Sequence, residues 1–161
     1  MEQIKFQVKI GVKDLYHFLM VYNYKSVGGI FGVGLSLACL FVFFISWNGK
    51  WDGSQVLLLL AGLLFTVIQP VMLWKKAMVQ VLKNPVFKQP LEYALSEKGI
   101  SIAQGEQESQ LPWTSIIKVK ADREQILLYT SRVNACIWPK KQLAKQEAEV
   151  LQFLEQYCQV K

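Results

Sequence analysis

Two stretches of the chain, residues 27–47 and 56–74, lack Lys, Arg, Asp, Glu and His altogether. A helix at a protein surface needs a polar face, and neither run offers one. At ~1.5 Å per residue, a run of about 20 residues spans roughly 30 Å, the thickness of a bilayer's hydrocarbon core. What is left of a chain of 161 residues is too little to wrap two such helices, which argues against a buried core pair. Histidine is nearly absent as well. His17 is the only one, and no motif surrounds it, so no Ser–His or Cys–His pair is legible. The cysteines, Cys39, Cys136 and Cys158, show neither CxxC nor metal-ligand spacing, and one His cannot complete a four-ligand zinc site with them. They read as reduced, small apolar residues. Paired carboxylates are not selected by any spacing. No catalytic, cofactor-binding or metal-binding residue is therefore expected, and the chain is not read as an enzyme. A cleavable leader is not expected either: patterned, partly polar sequence precedes the first apolar run, and residues 46–48 lack a small-x-small site. The first run is expected to stay in the mature chain.

The remaining charge is mild. The formal net charge is +6, and from Lys75 onward 13 Lys/Arg stand against 9 Asp/Glu. No dense basic run alternates with aromatics, so nucleic acid is not an expected partner. Charge position matters more. Lys13, Lys25, Lys75, Lys76, Lys83 and Lys88 lie on the terminal sides of the two apolar runs, whereas the loop 48–55 carries only Lys50, beside Asp52. Since Lys and Arg favour the cytoplasmic side, a multi-pass protein of the plasma membrane with both termini cytoplasmic is expected. Trp47, Trp51 and Trp74 at the run ends and Lys75–Lys76 after the second are placed as membrane-interface residues.

Periodicity supplies the rest. Residues 3–10 alternate, with Ile4, Phe6, Val8 and Ile10 on one side, as in a strand with one buried face. A lone strand is unstable in water, so it is expected to join a sheet formed by the C-terminal part. Residues 13–25 switch to a helical stripe of Leu15, Phe18, Leu19 and Tyr22. Gly28, Gly32 and Ser36 on the first run, and Gly62 and Thr66 on the second, are small residues suited to close helix packing. Packing within the hairpin is the first use read for them, and homodimerisation through Gly28 and Gly32 the second. Pro70 is expected to kink the second run. The helix continues to about Lys83, and Asn84–Pro85 stops it. From residue 91 short strands follow at 91–95, 100–104, 110–113, 116–120, 125–130 and 135–138, an antiparallel meander. An amphipathic helix at 142–157 closes it. The organisation is thus 1–26 (strand and amphipathic helix), 27–74 (a membrane hairpin of 27–47 and 56–74), 75–90 (juxtamembrane helix and linker) and 91–161 (an α+β cytosolic domain).

Tyr93–Ala94–Leu95–Ser96–Glu97–Lys98–Gly99–Ile100, then Leu111–Pro112–Trp113–Thr114–Ser115–Ile116, then Ile137–Trp138–Pro139–Lys140 before a helix, all behind two apolar runs, resemble the YcxB-like family of small bacterial membrane proteins. The resemblance implies a pleckstrin-homology-like cytosolic domain, a small antiparallel sheet capped by a C-terminal helix. It carries no catalytic residues over. Trp113 is expected to fill the sheet's core, Pro139 to end a strand and Gly99 to form a turn. The turn at 96–99 carries Lys98 beside Glu97 and lacks the basic loop of phosphoinositide-binding relatives of that fold. The expected function is a non-enzymatic membrane-anchored interaction module whose partners are the lipid bilayer and another membrane or cytosolic protein. The alternatives are an anionic-lipid sensor using Lys118, Lys120, Arg132, Lys140 and Lys141, or a small accessory subunit of a membrane transport complex.

Overall fold

The computed structural model describes residues 4–131, 134–143 and 146–158. Gln3 of the expected first strand, the candidate contact Arg132, and Lys145 in the expected last helix lie outside the described residues. The chain divides into two compact units. One joins the chain up to Asp14 with the chain from Val81 onward, and the other comprises Leu15–Gln80.

Among the described residues the first unit has seven strands: β1 (Ile4–Val8), β2 (Leu91–Ser96), β3 (Gly99–Gln104), β4 (Gln107–Leu111), β5 (Lys118–Ala121), β6 (Gln125–Tyr129) and β7 (Ala135–Pro139). A single meander was the expectation. The strands instead divide into two antiparallel sheets, β1-β2-β3-β4 and β5-β6-β7. Pro112, with no N–H to extend a ladder, and a 3₁₀ turn at Trp113–Ser115 end the first sheet before the second begins. β1 reaches across more than 80 residues of sequence to pair with β2, with Phe6 opposite Tyr93 and Val8 opposite Leu91. Its alternation dictates which face is buried: Ile4, Phe6 and Val8 point inward, Lys5 and Gln7 outward.

An aromatic trio joins the sheets. Phe6 stacks on Tyr93 at 5.5 Å, and both rings meet Trp138 of β7 edge-on, at 5.0 and 5.2 Å. Trp138 is fully buried, so it, not Trp113, is the tryptophan of the core. Trp113 lies half-buried at the sheet end, where its indole N–H donates to the Ser96 carbonyl at 3.0 Å. The Trp113 N–H is satisfied at the rim, whereas the buried Trp138 N–H has no hydrogen-bond partner among the described residues, so ring packing against Phe6 and Tyr93, not partner availability, holds Trp138 in the core. In β6, Ile126, Leu127 and Leu128 are all buried, so both faces of this central strand are covered. Pro139 belongs to β7, opposite Gln125. The expected helix at 142–157 is two pieces, α5 (Lys140–Leu143) and α6 (Glu147–Tyr157), numbered after the four helices given below. Lys140 bridges them with a 2.8 Å ion pair to Glu147. Val150 and Leu154 of α6 are buried. The remaining boundary differences follow from turns. Gly105–Glu106 suffices to reverse the chain, so β4 starts at Gln107 and ends before Trp113.

The second unit is helical: α1 (Val12–Tyr24), α2 (Val27–Ser46), α3 (Gly53–Leu63) and α4 (Gln69–Lys83), the first and last of these extending past its limits. Ser26 caps α2 by accepting from Gly29 N–H at 3.0 Å. Asp52 caps α3 by accepting from Gln55 N–H at 2.9 Å, which is why the helix starts at Gly53 and not at residue 56. The Ser54 hydroxyl, donating at 2.6 Å, and then that N–H hold the Asp52 carboxyl below its ordinary range. α3 and α4 are continuous through a π turn at Leu64–Ile68. The segments Val27–Ser46 and Gly53–Lys83 are long and apolar enough to cross a membrane.

Candidate functional site

The outward face of the four-stranded sheet is a trough, and cross-strand register explains it. One row reads Lys5, Ala94, Ser101, Gln110; the next reads Gln7, Glu92, Ala103, Glu108. In the first row the central strands carry small side chains, Ala94 and Ser101, between the longer Lys5 and Gln110; in the second only Ala103 is small, since Glu92 of β2 is long, so the floor is low chiefly along Ala94, Ser101 and Ala103. The far end is closed by Phe153, Gln156 and Tyr157 of α6. The open cavity measures about 1100 Å³. Gly99 lies at its turn end with φ +147°, and a Cβ there would stand 2.4 Å from the Leu111 carbonyl oxygen. Trp113 stacks on Tyr157 at 5.0 Å with an interplanar angle of 11°, buttressing the α6 wall. The rims are mixed in charge. Glu108 accepts from Ser101 Oγ at 2.7 Å, and Glu92 accepts from the Gln7 amide at 2.7 Å. Among the described residues no cluster of His, Cys, Asp or Glu could hold a metal ion. Burial pushes the Cys136 and Cys158 thiols and the Tyr93 phenol upward, which keeps all three protonated at neutral pH and poor as nucleophiles.

The second arrangement is in the helical unit. The Ser36 hydroxyl donates to the Ala61 carbonyl at 3.0 Å and accepts from the Phe65 N–H at 3.3 Å. These two groups would bond each other in an α-helix. A side chain of α2 is therefore inserted into the ladder of the second helix, and the π turn starts there. The Gln69 N–H then reaches back to Leu64, five residues earlier. Pro70, which has no N–H to give, follows the π turn directly. Tyr24 donates its hydroxyl to the Phe65 carbonyl, gripping the same residue from α1.

The small residues divide in role. A Cβ on Gly32 would lie 2.3 Å from the Phe65 ring, and one on Gly62 2.5 Å from Leu40, so both serve close approach within the unit. Thr66 bonds its own helix at Gly62. Gly28 faces open space, and Gly29, which the every-fourth spacing passed over, lies against Asn23. Trp47 and Trp51 meet edge-on at 4.8 Å, and Trp74 meets Tyr16 at 5.1 Å. Lys75 and Lys76 are exposed. Of the candidate basic residues, Lys118 lies opposite Tyr129 at one end of β6, and the Lys140 N–H donates to the Glu124 carbonyl just beyond the other. Lys120 stands opposite Leu127, and Lys141 is exposed on α5.

Residues 95–156 match the YcxB-like protein family. The YcxB-like match begins in β2 and ends in α6, so it includes Gly99, Trp113, Pro139 and most of the trough. β1 and the long helices fall outside it. No curated protein and no solved structure matches the chain.

Proposed function

We propose that this chain is a membrane-anchored, non-enzymatic interaction module of the bacterial cell membrane. Its two long helices cross the bilayer as a hairpin and hold a pleckstrin-homology-like domain on the cytoplasmic side. The observation that carries the reading is the outward exposure of apolar side chains along both helices. Phe31, Leu35 and Phe44 of α2 and Leu57 of α3 are each about 70% exposed, and a continuous apolar surface of that kind is stable in lipid and not in water. Sheet pairing supports the topology. Because β1 and β2 flank the helices and pair with each other, the chain must leave and return on the same side, which two crossings accomplish. The arrangement of four strands, three strands and a C-terminal helix supports the domain assignment. The trough is the surface offered to a partner protein.

Alkaline carbonate washing tests the anchor, and a photo-crosslinkable residue at Gln156 tests the trough. Retention in the membrane with a discrete crosslinked polypeptide is the expected result. Release by carbonate would overturn the anchor; retention without any adduct would leave the anchor and remove the interaction role.

A further inference from the structure

The edges of the two sheets are guarded unequally. An edge strand exposes unpaired N–H and C=O groups, which proteins protect with Lys, Pro, bulges or covering segments. β1 carries Lys5, and just beyond it both backbone groups of Lys9 bond the Gln142 side chain, at 2.7 and 2.8 Å. β5 carries Lys118 and Lys120, and β7 lies against α5. β4, Gln107-Glu108-Ser109-Gln110-Leu111, has no Lys, Arg or Pro, and residues 107–110 are exposed. Its outward backbone groups have no partner among the described residues.

Which groups point outward follows from the turns. Two-residue turns close the pairs Ser96–Gly99 and Gln104–Gln107, and such closing pairs are hydrogen-bonded. Alternation then directs the backbone groups of Gln107, Ser109 and Leu111 to β3, and those of Glu108 and Gln110 away from the sheet. For two antiparallel copies of this strand, three registers bring outward groups face to face. Centred on Glu108, the register opposes two carboxylates. Centred on Gln110, it sets Glu108 against Pro112, which has no N–H. Centred on Ser109, it sets Glu108 against Gln110 twice. All four outward N–H and C=O pairs are then satisfied, and each Gln110 amide stands beside a carboxylate it can donate to.

We infer that β4 pairs with β4 of a second copy of this chain, antiparallel, with Ser109 facing Ser109. The two four-stranded sheets become one continuous sheet, and the two troughs adjoin along the shared seam. The pairing does not depend on whether the helices cross a bilayer.

The test uses the full-length chain, in its membranes or in mild detergent, with the native cysteines kept and the unsubstituted chain as background. In this register the two Ser109 residues form a non-hydrogen-bonded pair with Cα atoms about 4.5 Å apart, within disulfide reach. The two Gln107 residues stand about 13 Å apart, beyond it. Under mild oxidation Ser109→Cys is expected to give a reducible dimer, and Gln107→Cys to remain at background. Adding Gln110→Pro to Ser109→Cys removes an outward N–H and the side-chain amide that faces Glu108 of the second copy, while the sheet itself keeps its bonds. Two symmetry-related backbone bonds and the two amide–carboxylate contacts are lost, and crosslinking is expected to fall about tenfold or more. Unchanged tryptophan fluorescence of that variant checks that the domain is folded. No dimer with Ser109→Cys, equal dimer with Gln107→Cys, or no effect of Gln110→Pro in the folded protein would each overturn the inference.

Discussion

At the scale of single residues, a few polar atoms set geometry that hydrophobicity alone would leave open. Ser36 changes the form of a helix to which it does not belong, by standing between Ala61 and Phe65. Replacing it with Ala removes both bonds and lets the Phe65 N–H return to the Ala61 carbonyl. Ser36→Ala is therefore expected to lower the stability of the helical unit by about 1 kcal/mol, read by denaturing-detergent titration, with the π turn reverting towards α. Sequence spacing marked Ser36 as small and hid its hydroxyl's role, because the partners lie on another helix. Trp113 lies at the rim and not in the core for a similar reason: only the fold shows that Ser96 offers its carbonyl there and that Trp138 packs against Phe6 and Tyr93. Burial also sets a pH response. The Cys136 thiol and the Tyr93 phenol both titrate above their ordinary values of 9.0 and 10.0. The folded state therefore holds these protons to higher pH than the unfolded chain does. Stability is at its full value below the ordinary thiol range and falls as pH rises through it and past the phenol range. Melting temperatures measured from neutral pH upward are expected to decline above about pH 9, and Tyr93→Phe is expected to make that decline shallower.

At the scale of elements, β1 shows what a periodic signal conveys and where it stops. Alternation over Ile4, Phe6 and Val8 is sufficient to read a half-buried strand, and the scarcity of other strands near it points to the C-terminal part as its partner. Nothing in the spacing selects β2 over the other strands, since register depends on which neighbours complete the Phe6–Tyr93–Trp138 trio. The trough was illegible for the same reason: Ala94, Ser101 and Ala103 are unremarkable until pairing sets them side by side between longer rims. The long helices, by contrast, were legible in place and extent, because an uncharged run needs no partner to be recognised; the start at Gly53 and the π turn at Leu64–Ile68, which depend on the Asp52 cap and on Ser36, were not. The trio predicts a large effect from a short strand. Phe6→Ala removes a ring that touches both sheets and leaves a cavity between them, so a loss of about 3–5 kcal/mol is expected in denaturant unfolding of the strand unit. A surface change on the same strand, Gln7→Ala, removes an exposed bond to Glu92 and is expected to cost less than about 1 kcal/mol.

At the scale of the whole molecule, the sheet and the helices constrain each other through connectivity. The strand unit is discontinuous in sequence: β1 precedes the helices and β2 to α6 follow them. Under the proposed topology, the first strand and the rest of its sheet meet only if the number of crossings between them is even. Deleting α2 with the loop to Gly53 leaves one crossing and places β1 on the side of the bilayer opposite to β2. Replacing the whole of 15–80 by a short flexible linker removes both crossings and leaves β1 free to reach β2 again. The single-helix deletion is thus expected to be degraded or aggregated, with the inward faces of Tyr93 and Leu95 uncovered along the β2 edge. The double deletion, which is the larger loss of sequence, is expected to give a soluble folded domain with Trp138 still buried, read by tryptophan fluorescence and size-exclusion chromatography. The opposite order, a stable protein with one helix removed and an unfolded one with both removed, would show that the helices support the sheet by direct packing and not by crossing a membrane twice.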